Sequence, residues 1–169
     1  LVLQRVKSAR VEVAGRMIAG IDQGILAFVG FGHEDESSPK TMDVLPRMAR
    51  KLVQARIFPD DLGRLNLSLE ETQGEVLAVS QFTLHADCRK GRRPSLHPAA
   101  DPTRALDLFN EFVQALRQHL SSRVHTGSFG AEMDVILHNW GPLTLYWDSK
   151  AFCNYLRSQK PGARIQNPE

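Results

Sequence analysis

Two short runs constrain this chain more than anything else in it. Ile25-Leu26-Ala27-Phe28-Val29 is unbroken apolar sequence between Gly24 and Gly30, and Val76-Leu77-Ala78-Val79 opens a second run that reaches Phe82. A strand without polar alternation has to be covered on both faces. Each run therefore predicts an interior strand, Ile25–Val29 and Val76–Phe82, and the rest of the chain must supply the cover.

The cover is legible in outline. Leu1–Val6 and Arg10–Val13 read as strand, with Val11 and Val13 alternating around Glu12. Ala14-Gly15 is turn chemistry and Met17–Ile21 returns, which makes a hairpin. Ser37-Ser38-Pro39 starts a helix that runs to about Ala55, its buried stripe being Met42, Leu45, Met48, Ala49, Leu52 and Val53. Pro46 inside it predicts a bend or a later start. Ile57-Phe58 and the alternating Leu65, Leu67 and Leu69 read as short strands around the turn Asp60-Asp61-Leu62-Gly63. Asp101 caps a second helix with Pro102 at its first position, and Leu106, Phe109, Phe112, Val113, Leu116 and Leu120 mark its buried face. Val124–Thr126, Met133–Leu137 and Leu143–Trp147 complete the strands. Strands with two helices, and no strict strand–helix alternation, predict an α+β fold: barrel-like mixed or antiparallel sheets with two main helices on one side. At 169 residues this is one domain, spanning 1–148, with residues 149–169 read as a C-terminal extension.

Composition narrows the function classes. No stretch approaches the ~20 apolar residues of a membrane span, and no leader pattern is seen. The cysteines, Cys88 and Cys153, are far apart and read as free thiols in a reducing, cytoplasmic setting. The six histidines lack metal-ligand spacing. Gly30-Phe31-Gly32 is not a dinucleotide fingerprint, because the third glycine is missing. Net charge is only +2, so nucleic acid would have to meet a local patch.

That patch exists. Arg89, Lys90, Arg92 and Arg93 crowd a loop that ends at Pro94. Arginine offers a bidentate fork to phosphate and lysine a point charge; an ordinary solvated loop has the same look. Just before it, the second apolar run ends in Ser80-Gln81-Phe82-Thr83. A continuing strand would place Gln81 and Thr83 on one face and Ser80 and Phe82 on the other. Hydroxyls and backbone N–H groups at a strand end are the parts of an oxyanion hole or a nucleophile, and equally the parts of a simple strand terminus. Thr83 has His85 two residues on, with no acid evident to orient it. Asn139-Trp140-Gly141-Pro142-Leu143-Thr144 reads alone as a turn between strands. Phe129-Gly130-Ala131 could border a pocket.

Together these stretches resemble the D-aminoacyl-tRNA deacylase family. LQRVKSARVEV (Leu3–Val13), RIFPDDLGRLNLSL (Arg56–Leu69), SQFTLHADCRKGRRPS (Ser80–Ser95), TGSFGAEMDV (Thr126–Val135) and NWGPLT (Asn139–Thr144) occur in the family's order. SQFTL and N-x-G-P-x-T are its two signatures; Leu143 stands where valine is usual, and the tail is longer than typical. SQFTL also separates the chain from the related animal-type deacylase. The resemblance implies a homodimer with active sites at the subunit interface, acting on aminoacyl-tRNA without metal or organic cofactor. It implies catalysis at Ser80, Gln81, Phe82 and Thr83, with Thr83 either a nucleophile or a pocket wall. It implies substrate contacts at Gly141, Pro142, Arg5 and Met133, with a cis Gly141–Pro142 bond that Arg5 braces. The basic loop would meet the tRNA. Rivals left open are a non-catalytic aminoacyl-tRNA-binding module, an unrelated hydroxyl-nucleophile hydrolase and a DNA-associated role.

Overall fold

The computed structural model describes residues 1–151. The extension expected from residue 149 therefore falls, from residue 152 on, outside the described residues, as does Cys153. Cys88 is a free, exposed thiol. Among the described residues no helix is long and apolar enough to cross a membrane.

Strand β1 (Val2–Val13) organises the sheet. Its first half pairs antiparallel with β3 (Gly24–Val29), from Val2 opposite Phe28 to Val6 opposite Gly24. Its second half pairs with β2 (Arg16–Ile21) across the Ala14-Gly15 turn, where both residues have positive φ, 49° and 74°. That is the backbone twist a two-residue hairpin favours. The other edge of β1 pairs with the long β8 (Asp134–Tyr146). β3 continues into the parallel strand β6 (Glu75–Ser80), and β6 into the parallel β7 (Val124–Thr126). The result is a curled, nearly closed mixed sheet, as the sequence pattern predicts.

The two apolar runs are its interior strands, covered on both faces. On the outer face Ile25, Ala27, Val76 and Ala78 pack with Leu45, Met48 and Leu52 of helix α2 (Pro39–Gln54) and with Leu108, Phe112 and Leu116 of helix α4 (Pro102–Leu120). Inside the curl, Leu26, Leu77 and Val79 pack with Val6, Val11 and Ile21. Each large side chain so buried contributes roughly 1.5–3 kcal/mol. α4 starts as its sequence dictates: the Asp101 carboxylate accepts from Thr103 N–H (2.9 Å) and Arg104 N–H (3.4 Å).

Several expectations need correction. α2 runs unbroken from Pro39 through Pro46, whose ring lies on the exposed face of the helix. Met42 is 44% exposed and Leu106 37%, because both lie at the rim of their stripes; Val44 and Leu108 are the buried residues instead. Leu1–Val6 and Arg10–Val13 are one strand, since Lys7 and Ser8 simply turn outward. Short helices α1 (His33–Glu36) and α3 (Leu69–Thr72) were not evident from periodicity, being too short to show one. Leu69 begins α3, capped by Ser68, rather than ending the strand pair β4 (Phe58–Pro59) and β5 (Leu65–Leu67). Most relevant to function, β6 stops at Ser80, and Phe82–His85 is a 3-10 turn rather than strand.

Candidate active site

The end of β6 sets the site. Ser80 is opposite Val29 in the parallel ladder, and Gln81 N–H donates to the Val29 carbonyl at 2.7 Å. The chain then folds into the turn: Leu84 N–H returns to the Gln81 carbonyl (3.2 Å) and Ala86 N–H to the Thr83 carbonyl (3.0 Å). The first N–H groups of such a turn have no partner within it. Among the described residues the Phe82 and Thr83 N–H groups have none elsewhere either. Strand-like alternation of the four residues therefore does not apply.

Ser80, Gln81 and Phe82 line a pocket of about 380 Å³. Its other walls are Val29 and Phe31 after β3, Ala100, Pro102 and Ala105 at the start of α4, and Phe129, Met133 and Val135. The walls are mainly apolar, which suits a planar or hydrocarbon group fixed by few polar contacts. Met133, a substrate contact on the family resemblance, lines this pocket. Phe129, held tilted on Phe109 at 6.2 Å between centroids, confirms the pocket-bordering loop. Ala100, Pro102 and Ala105 were missed; small residues at a helix start carry no signal of facing a cavity.

Thr83 is exposed and does not line the pocket; its hydroxyl accepts a hydrogen bond from the Gln81 side-chain amide. Among the described residues no hydrogen bond joins His85 to the Thr83 hydroxyl. His85 lines a separate cleft of about 630 Å³, on the far side of the Gly30-Phe31 segment from Ser80, Gln81 and Phe82.

The second signature lies within β8, not between two strands. Gln4 pairs with Thr144 and Val6 with Asn139, so Arg5 alone stands opposite Trp140, Gly141, Pro142 and Leu143. This excursion carries a cis Gly141–Pro142 bond. Arg5 fastens it. The side chain is only 7% exposed; Nε donates to the Trp140 carbonyl at 3.0 Å and Nη1 to the Ile57 carbonyl at 2.6 Å. The guanidinium carbon sits 4.5 Å from the Trp140 ring centroid. Burial lowers the Arg5 pKa. Gly141 has φ of +126°, and a Cβ there would come within 2.7 Å of Arg5 Nη2, so glycine is required on two grounds. Gly141 and Pro142 are exposed and take no part in the pocket of their own chain.

The basic loop leaves the turn and is pinched shut by paired backbone bonds, Asp87 N–H to Ser95 O (2.8 Å) and Ser95 N–H to Asp87 O (2.9 Å). Arg89 folds back as a fork onto Asp87, with Nε–Oδ1 2.9 Å and Nη2–Oδ2 2.7 Å. The Arg89 side chain and backbone N–H hold the Asp87 carboxyl down at about 2. Lys90, Arg92 and Arg93 are exposed, and among the described residues they have no anionic partner. The loop is therefore three unpaired cations and one internally paired one.

The family model described as D-Tyr-tRNA(Tyr) deacylase matches residues 2–148. The chain belongs to this family. Among curated relatives, the D-aminoacyl-tRNA deacylase of Solidesulfovibrio magneticus is 52% identical over 149 residues, 88% of this chain and 94% of that protein. That of Thermus aquaticus is 46% identical over 163 residues, 96% of this chain and 98% of that protein. Among solved structures, the c-Myc DNA unwinding element binding protein superposes with a TM-score of 0.76 at 36% identity, covering 85% of this chain and 94% of its own. A structure described as a probable eukaryotic D-amino acid tRNA deacylase gives 0.75 at 20% identity, covering 85% and 95%, and shares the fold.

Proposed function

We propose that this protein hydrolyses the ester of D-aminoacyl-tRNA, and of glycine mischarged on tRNA, releasing amino acid and tRNA as a chiral proofreader in the cytoplasm. The observation that carries the proposal is the pair of unpartnered N–H groups on Phe82 and Thr83, on a turn that lines an apolar pocket. Water attacks the ester carbonyl carbon, and the carbonyl oxygen becomes an oxyanion received by these N–H groups. The carbon–oxygen bond to the ribose then breaks, and the ribose oxygen leaves with a proton. The neighbouring ribose hydroxyl helps to activate the water, so the substrate supplies a base that the protein does not. Thr83, whose hydroxyl is held by Gln81, shapes the site rather than attacks.

Selection falls to Gly141 and Pro142 in a homodimer. Exposed on their own chain and braced by Arg5, they reach the partner subunit's pocket. Their carbonyls fix the substrate α-ammonium, so an L side chain would point into backbone and a D side chain toward solvent. Glycine has no side chain to exclude. Lys90, Arg92 and Arg93 neutralise tRNA phosphates. A second reading, duplex DNA binding, is favoured by the likeness to the c-Myc DNA unwinding element binding protein and by this same loop.

The test is hydrolysis of D-Tyr-tRNA against L-Tyr-tRNA by wild type and Thr83→Ala. Release of D-Tyr with L-Tyr spared supports the proposal, and Thr83→Ala retaining activity within about tenfold supports backbone over hydroxyl chemistry. Binding of D-Tyr-tRNA without turnover would leave a non-catalytic module. Salt-steep duplex DNA binding without either would favour the second reading.

A further inference from the structure

The turn that carries Phe82 and Thr83 is held by almost nothing but backbone, and its seat is the Gly30-Phe31-Gly32 segment. A Cβ on Gly30 would lie 2.6 Å from the Gln81 carbonyl oxygen, 3.1 Å from Leu84 Cβ and 3.3 Å from His85 Cδ2. A Cβ on Gly32 would lie 2.8 Å from His85 Nδ1 and 2.9 Å from Cε1, with the Pro98 carbonyl at 3.2 Å. Neither glycine has the positive φ that would by itself call for glycine. What each supplies is the absence of a side chain at the place where the turn comes down onto the end of β3.

We infer that Gly30 and Gly32 are positioning residues for the deacylation, seating the Phe82–His85 turn from beneath so that its two open N–H groups face the ester. Gly30 acts on the turn's backbone and Gly32 through the His85 ring. This rests on the deacylase reading and adds to it the residues that set its oxyanion donors. The geometry divides the work in a testable way. The obstacle above Gly30 is a carbonyl whose residue is already fixed by Gln81 N–H to Val29, so a methyl there has to lift the turn. The closest obstacle above Gly32 is a side-chain ring, so removing the ring relieves the worst of the conflict and leaves the Pro98 carbonyl at 3.2 Å. His85 lines the larger cleft and not the pocket, and its loss alone leaves the donors in place.

The experiment is a cycle of Gly30→Ala, Gly32→Ala, His85→Ala and the two doubles with His85→Ala, assayed on D-Tyr-tRNA for kcat and KM separately. A displacement of donors by a fraction of an ångström to an ångström is worth about 10- to 100-fold in rate. Gly30→Ala should lose that factor in kcat, hold KM within about threefold, and gain little from His85→Ala, because the Gln81 carbonyl at 2.6 Å remains when the ring is gone. Gly32→Ala should lose less, and His85→Ala should return it most of the way to the level of His85→Ala alone, the Pro98 carbonyl at 3.2 Å being the contact left. Amide shifts of Phe82 and Thr83 should move in Gly30→Ala while that of Glu75, at the other end of β6, stays still. With kcat referred to the folded fraction, a merely destabilising substitution would leave it unchanged, and it would not give this one-sided rescue. Wild-type kcat in folded Gly30→Ala, or a Gly32→Ala defect that persists undiminished without His85, overturns the inference while leaving the deacylase reading standing. If Gly30→Ala does not fold, the Gly32–His85 pair decides alone. Wild type inactive on D-Tyr-tRNA takes both down together.

Discussion

The two signature stretches are held by opposite means. The Trp140–Leu143 excursion is gripped by a buried cation, Arg5, which reaches two carbonyls and an aromatic face. The Ser80–Ser95 stretch is held by backbone bonds at its two ends, Gln81 N–H to Val29 and the reciprocal pair between Asp87 and Ser95, and its side chains stand largely in solvent. On the proposed function the difference is apt. The part that judges chirality must not yield to a wrong substrate, so it is fixed by several interactions at once. The part that receives a large polyanion needs donors and charges left open to it.

The sharpest way to break this contrast is to cut the grip. Arg5→Met keeps an apolar stem but leaves the Trp140 and Ile57 carbonyls without their donor. Hydrogen bonds to a charged group are worth roughly 1.5–3 kcal/mol each, so urea unfolding should show a loss of about 3 kcal/mol. Deacylation of D-Tyr-tRNA should fall at least about 100-fold as the excursion shifts. Arg5→Lys should recover little, because an ammonium cannot reproduce the fork. An Arg5→Met protein with wild-type stability and rate would mean that the excursion is held by β8 pairing alone.

A medium effect should come from the open loop. Lys90→Ala/Arg92→Ala/Arg93→Ala should raise KM for D-Tyr-tRNA and leave kcat within about threefold. The slope of log KM against log salt should drop by about 2 to 3, near the 0.9 per phosphate contact expected on duplex RNA or DNA. An unchanged slope would return the loop to the status of a solvated surface.

Legibility in the sequence follows the same division. The interior strands were readable because burial on both faces leaves an unbroken apolar run, as in Ile25–Val29. The helices were readable from caps and periodicity, Asp101-Pro102 above all. The end of β6 was not: Ser80-Gln81-Phe82-Thr83 is compatible with strand, and the switch to a turn is decided by Gln81 bonding to Val29 and by Gly30 beneath it, both contacts distant in sequence. The unity of β8 was hidden for a similar reason. Gly-Pro reads locally as a turn, and that it is an excursion returning to the ladder shows only in the pairing with β1, where Arg5 on the facing strand reaches the Trp140 carbonyl. Signature residues pointed to the candidate site, therefore, while the residues that shape it came from packing.

The smallest expected effect sits inside the basic loop and tests whether its four cations are equivalent. Arg89 is spent on Asp87, so Arg89→Ala should change KM less than Lys90→Ala, Arg92→Ala or Arg93→Ala does. The Asp87 carboxyl reports on this directly. Its pKa in the fold is about 2 against an ordinary 3.8, first through the Arg89 side chain and then through the Arg89 N–H. A depressed pKa means the pair steadies the loop fully above the ordinary value and loses that contribution as pH falls through about 2. Between neutral pH and about 4 the loop should therefore show no titration from this pair. Arg89 is exposed and Asp87 only half-buried, so the pair fixes loop shape more than overall stability. Carboxyl-carbon NMR should find Asp87 titrating near 2 in wild type and moving up toward 3.8 in Arg89→Ala. A wild-type value already near 3.8 would show Arg89 free, and the loop would then present four phosphate-binding cations, with a salt slope steeper by about one.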